Sequence, residues 1–129
     1  YNPVTFAPSL PAADRGMVTQ LLRPLGECPE VAESKLEAYA ILTAMGPTYL
    51  WYQLYELLAL GESFGLTPAE TQAGVARMLS GAMDTITKSG LLPEQVKDLI
   101  PVKPLADIEP TIAEAYRSKL TAVMEKIKP

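Results

Sequence analysis

Apolar residues recur at three- and four-residue steps over most of the chain, the spacing of helices that bury one face. The exception is the front, where Val4-Thr5-Phe6-Ala7 reads as one isolated strand, an element that needs neighbours to be stable. Pro8-Ser9-Leu10-Pro11 turns into a first helix that Ser9 or Asp14 can cap. Its Met17, Leu21, Leu22 and Leu25 share a face, and Gly26 ends it. Glu27 to Val31, with Pro29, is an extended connection. A helix from Ser34 to Ala44 clusters Leu36, Tyr39, Ala40 and Thr43 and breaks at Gly46-Pro47, because proline lacks an amide donor and disfavours helix at the residue before it. Pro47 suits the first turn of the next helix, which runs to Phe64 and is closed by Gly65.

Thr67-Pro68-Ala69-Glu70 is a capping box with proline at the first helical position, opening a helix to Lys88 that stops at Ser89-Gly90. A short helix starts at Pro93 and is expected to bury Val96, Leu99 and Ile100; Pro101 and Pro104 then force a loop. Asp107 is placed to cap a last helix with a stripe of Ile112, Tyr116, Leu120, Val123 and Ile127, and with Glu114/Arg117 and Glu125/Lys128 on the outer side. No internal repeat is present. The pattern predicts an all-α bundle of five to six helices with a short N-terminal strand.

Two helices carry more apolar or small surface than a small single-chain bundle uses. Between Pro47 and Phe64, Leu50, Leu54, Leu57 and Leu58 cover one side, and Tyr49, Trp51, Tyr52 and Tyr55 extend the apolar surface round the other. Such a helix is central or shared with another subunit, and a place in a dimer core is the preferred reading. Ile41 to Gly61 has the length of a membrane span. The Gly46-Pro47 break, Gln53, Glu56 and the lack of flanking Lys or Arg argue against a membrane. In the helix after Thr67, Gly74, Met78, Gly81 and Thr85 form a stripe of mostly small residues. Glycine there costs about 1 kcal/mol relative to Ala, which makes sense if another backbone crosses closely, within the subunit or from a second one.

Composition narrows the chemistry. The 129 residues fit one domain, and 11 Lys+Arg against 15 Asp+Glu, with no basic run, argue against nucleic acid as a partner. There is no His, which excludes imidazole triads and imidazole-bound zinc, and a single Cys, Cys28, excludes an internal disulfide. No metal site is expected. The chain opens on Tyr1 without a secretory pattern, and the expectation is a piece of a longer protein.

Leu42-Thr43-Ala44-Met45-Gly46-Pro47-Thr48-Tyr49 before a long apolar helix resembles the Ser-Gly-Ser-Gly-Pro-Ala-Tyr signature of pyrroline-5-carboxylate reductases. Gly65-Leu66-Thr67-Pro68, Leu79-Ser80-Gly81-Ala82, Val96-Lys97-Asp98 and the upstream Pro24-Leu25-Gly26-Glu27 match further family segments in order. The resemblance implies an interlocked dimerisation domain of the 6-phosphogluconate dehydrogenase C-terminal type, residues 11–129. Residues 1–10 are then the last strand and linker of a missing Rossmann domain. It further implies a cytoplasmic oxidoreductase of proline biosynthesis that binds NAD(P)H through that missing domain and reduces a small imino or keto acid as a homodimer. No cofactor would bind this chain, which lacks a Gly-x-Gly-x-x-Gly turn. The dimer contact falls on Leu50, Trp51, Leu54, Leu57, Leu58, Gly74, Met78 and Gly81.

The departures fall where the family holds its substrate. The family's loop of hydroxyls and glycines is replaced by Ile100-Pro101-Val102-Lys103-Pro104-Leu105-Ala106-Asp107, and Thr43, Ala44 and Met45 replace the Ser-Gly-Ser. Thr43, Gly46, Pro47 and Lys103 are left as the candidate substrate contacts, and no residue is assigned a catalytic role. Lys103 is the loop's one cation, and Asp107 is read as a helix cap. The expected substrate differs from pyrroline-5-carboxylate. The alternative is a non-catalytic dimerisation module that has lost the substrate loop.

Overall fold

The computed structural model describes residues 1–128; Pro129, the last residue of the expected 11–129 domain, lies outside them. The chain divides into two compact units, one built from Tyr1–Thr48 and the segment from Ala113 onward, the other from Tyr49–Ile112. Among the described residues there is no named strand, and the all-α class is the observed one.

In the first unit the front segment pairs with the connection after the first helix as a single parallel bridge, Val4 to Glu30. The Asn2 amide donates to the Glu27 carbonyl at 2.7 Å, the Val4 amide to Pro29 at 3.0 Å, and the Val31 amide to Val4 at 2.8 Å. Residues alternate sides along extended chain, so Pro3 and Thr5 turn the other way, and the Thr5 amide has no partner among the described residues.

Helix α1, Ala12–Leu22, starts after Pro11 with no side-chain cap. The expected caps, Ser9 and Asp14, are unused because the Pro11 carbonyl takes the Asp14 and Arg15 amides at 3.1 Å each. A 3₁₀ turn, Arg23–Leu25, follows and ends at Gly26, whose φ of 125° lies in the region that favours glycine.

The helix expected from Ser34 to Ala44 is three segments: a 3₁₀ turn Glu33–Lys35, a short α2 of Leu36–Tyr39, and a π segment Ala40–Ala44. Here the Met45 amide reaches back five residues to the Ala40 carbonyl at 2.9 Å. The extra residue per turn accommodates the approach to Pro47, which has no amide to continue an α ladder. Ile41 in this segment is 6% exposed and is the only buried hydrophobic residue among those described. Helix α3 follows, Gly46–Ser63.

The second unit holds most of α3, then α4, Pro68–Lys88, and α5, Pro93–Lys97, which half-buries Val96 but ends before Leu99 and Ile100, so these two are exposed rather than buried as expected. The capping box is present: the Thr67 hydroxyl accepts the Glu70 amide at 3.3 Å, and the Glu70 carboxylate accepts the Thr67 amide at 2.8 Å. The hydrogen bonds from the Thr67 hydroxyl and then its amide hold the Glu70 carboxyl below its ordinary value. The α3–α4 turn brings the two helices close at one point. A Cβ added at Gly61 would lie 2.5 Å from Thr71 Cγ2 and 3.0 Å from its Oγ1. Thr71 is 3% exposed, and its hydroxyl has no hydrogen-bond partner.

Helix α6 is Glu109–Ile127. It begins two residues past Asp107, which makes no capping hydrogen bond among the described residues; the Ile112 amide turns onto the Ile108 carbonyl at 3.1 Å instead. Of the expected stripe, Tyr116, Leu120, Val123 and Ile127 are half-buried while Ile112, in the first turn, is exposed, and Glu114 pairs with Arg117 at 3.5 Å. Glu125 and Lys128 do not pair among the described residues.

The Gly61 approach gives a prediction with two signs. Gly61→Ala should lower the midpoint of thermal unfolding, because the clash costs about 1–3 kcal/mol and outweighs a helix-propensity gain of about 1 kcal/mol. Adding Thr71→Ala should recover part of that loss. Gly16→Ala in α1, where an added Cβ meets nothing within 4 Å, should raise the midpoint.

Candidate functional site

Three of the four candidate substrate contacts lie in one stretch. The π segment carries Thr43, whose hydroxyl donates to the Tyr39 carbonyl at 2.8 Å. That leaves the Thr43 oxygen able to accept from a ligand but its proton committed. Gly46 and Pro47 form the first turn of α3, where the Thr48 hydroxyl donates to the Met45 carbonyl at 2.7 Å. A Cβ on Gly46 would meet nothing within 4 Å, so the backbone there is open to close approach. π turns often sit at functional positions.

Lys103 belongs to the other unit, in the loop after α5, and its Nζ lies 2.7 Å from Asp98 Oδ1. The hydrogen bond with Asp98 is the largest influence on the Lys103 ammonium and raises its pKa. Desolvation opposes this, and the charges of Asp98, Glu109 and Glu94 add to the rise. The same hydrogen bond and the charge of Lys103 hold the Asp98 carboxyl below its usual range. The loop's one cation, a candidate substrate contact, is therefore already paired with a carboxylate of the chain itself.

The residues assigned to a subunit contact are open or partly open in the single chain. Leu50, Trp51, Leu57, Gly74, Met78 and Gly81 are exposed, Trp51 at 57%, while Leu54 and Leu58 are half-buried. An added Cβ at Gly74 or Gly81 would meet nothing within 4 Å. Beside this face a groove of about 240 Å³ runs between Leu57, Gly61, Leu66, Thr71, Val75 and Met78.

Sequence reasoning missed a cleft of about 1010 Å³ in the first unit, lined by Phe6, Arg15, Gln20, Arg23, Cys28 and Glu30 among others. Arg15 organises it, stacking over the Phe6 ring at 5.8 Å, pairing with Glu30 at 2.9 Å and donating to the Leu10 carbonyl at 3.0 Å. No local pattern announces a pair fifteen residues apart. Among the described residues there is no group of three or more His, Cys, Asp or Glu that could hold a metal, and no helix long and apolar enough to cross a membrane.

An all-α chain with this order of helices has counterparts among the reductases. Its fold matches the crystal structure of Plasmodium falciparum pyrroline carboxylate reductase with NADP bound, with a TM-score of 0.73 and 20% identity over 96% of this chain and 54% of that one. The pyrroline-5-carboxylate reductase of Kluyveromyces lactis is 24% identical over 94 residues, 73% of this chain and 33% of the relative. That of Staphylococcus aureus (strain COL) is 21% identical over 100 residues, 78% of this chain and 37% of the relative. No family model matches. The chain resembles pyrroline-5-carboxylate reductases at the level of the family and spans about a third of the length of the curated relatives it matches.

The Lys103–Asp98 pair has a titration signature. A lowered folded pKa means Asp98 contributes stability above the unfolded carboxylate value, and the contribution is lost as pH falls through the folded value. The raised Lys103 contributes below the unfolded lysine value and loses it as pH rises through the folded one. The pair should therefore hold across the neutral range. In an NMR carboxyl titration, Asp98 should ionise below the usual carboxylate range and return to it in Lys103→Ala.

Proposed function

We propose that this chain is the dimerisation and substrate-pocket part of a cytoplasmic NAD(P)H-dependent oxidoreductase similar to pyrroline-5-carboxylate reductase, reducing a C=N or C=O bond in the full-length protein. The observation that carries this is the fold match across 96% of the chain to a reductase structure with NADP bound. The small imino and keto acids are the first substrates to try, and proline biosynthesis is the first pathway.

The dinucleotide supplies the hydride when bound, and this chain's own residues do not fit it, since no Gly-x-Gly-x-x-Gly turn is present. On this reading residues 1–10 are the last strand and linker of a Rossmann domain. The partnerless Thr5 amide beside the Val4–Glu30 bridge supports it, being the edge to which a further strand would add. Thr43, Gly46 and Pro47 in one unit, and Lys103 in the other, are each proposed as substrate contacts, with no single pocket of this chain assigned to all four.

Homodimerisation is the second part of the proposal, and surface area supports it. A compact chain of 14.0 kDa exposes about 6,700 Å² and two separate halves of that mass about 8,100 Å²; this chain exposes 10190 Å². An added Cβ at Gly74 or Gly81 would meet nothing within 4 Å, which supports room for a close crossing by another chain. A second reading, a dimerisation module without catalysis, is favoured by the occupied Lys103 and by the absence of any hydroxyl side chain between Gly90 and Pro110.

Light scattering on the purified chain should give a dimer at micromolar concentration, and Gly81→Leu should dissociate it. A wild-type monomer would contradict the interface. For the full-length protein, NADPH consumption with imino or keto compounds is expected. No consumption with any of them, in an intact dimer, would favour the non-catalytic module.

A further inference from the structure

We propose that the cleft beside α1 in the first unit binds a free α-amino acid with an apolar side chain, its carboxylate on one wall and its ammonium on the other. The inference stands apart from the reductase reading, since none of the candidate substrate contacts lines this cleft.

The charges of the cleft are sorted by wall. Its cations, Arg15 and Arg23, come from α1 and the turn that follows it, and its anions, Glu27 and Glu30, come from the extended connection. One pair across the cleft is closed, Arg15 to Glu30 at 2.9 Å. Arg15 is otherwise committed to the Leu10, Ala7 and Pro8 carbonyls at 3.0, 3.3 and 3.4 Å, so it holds the walls together rather than serving a ligand. The second pair is open. Among the described residues the Arg23 guanidinium and the Glu27 carboxylate make no ion pair or side-chain hydrogen bond, and neither does the Gln20 amide, three residues before Arg23.

That arrangement chooses among ligands. A simple anion at Arg23 faces Glu27 across the cleft, and a simple cation at Glu27 faces Arg23. Only a ligand with both charges is attracted at each end, and an α-amino acid carries them on one carbon. Its carboxylate takes the planar guanidinium of Arg23, with the Gln20 amide as a further donor, and its ammonium turns to Glu27. Phe6 and Pro29, both half-buried, offer apolar surface to the side chain. A volume of about 1010 Å³ gives room, small-molecule pockets running to roughly 300–1,000 Å³. Any direct contact of Arg23 with Glu27 in solution is an exposed ion pair, which is weak, so the ligand has little to displace.

The test is a titration of the purified chain followed by amide NMR. The probes are L-leucine and its two halves, 4-methylpentanoate, which lacks the ammonium, and 3-methylbutylamine, which lacks the carboxylate. L-Leucine should move the amides of Gly16, Gln20 and Cys28 saturably, and each half should bind about tenfold more weakly, the loss of one charge-assisted contact. Arg23→Ala should weaken L-leucine about tenfold without weakening 3-methylbutylamine, and Glu27→Gln should weaken it to a similar degree without weakening 4-methylpentanoate. Both side chains are exposed and unpaired among the described residues, so neither change should move the thermal midpoint. Binding of either half as tight as that of L-leucine would make this a site for a single charge and overturn the inference. Absence of saturable shifts at these amides would overturn it, and so would shifts that persist in both variants. Each outcome leaves the reductase reading untouched, because none of them measures reduction.

Discussion

Burial of apolar surface is the force that folds a chain of this size, and each unit exhausts its own supply early. Ile41 is the only buried hydrophobic residue among those described, and Thr71 the only buried polar one. Meanwhile α3 presents Trp51, Tyr52 and Tyr55, and α4 presents Met78, Met83 and Ile86, to the outside. Local devices, namely the capping box at Thr67, the glycine ends at Gly65 and Gly90 with φ of 98° and 71°, and the close approach at Gly61, fix where helices start, stop and touch. They cannot substitute for a core, since helix stability in proteins comes mainly from packing an apolar face.

That imbalance makes sense of two features that look unrelated. Gly74 and Gly81 cost helix stability, an added Cβ at either would meet nothing within 4 Å, and the long helix before them has no polar face. Both fit the proposed subunit contact. The Lys103–Asp98 pair points the other way: it satisfies itself internally and asks for no partner. The loop after α5 thus pairs its cation at the surface while leaving its aliphatics out.

Much of the fold was legible because helices announce themselves locally. Thr67 and Glu70, three residues apart with Pro68 between, defined the start of α4, and the glycines defined helix ends. What escaped involved either a phase change or distance along the chain. The π segment at Ala40–Ala44 differs from an α-helix by one residue per turn, and apolar periodicity over eleven residues does not resolve that. Ser9 and Asp14 looked like caps, but a backbone carbonyl, Pro11, took the role. In the candidate site, Gly46-Pro47 was readable from its motif, whereas Arg15 with Glu30 and Asp98 with Lys103 were not, because pairs formed across a turn or loop leave no periodic trace.

The parallel bridge at Val4 leaves a sheet edge on its far side, and that edge is half disarmed. By alternation Pro3 and Thr5 face outward together, and proline has no hydrogen to give, so the strand offers one amide where an ordinary edge of this length offers two. An added strand is therefore held weakly near Pro3 and firmly at Thr5. Such an edge is a poorer template for accidental cross-β pairing than one that offers both amides.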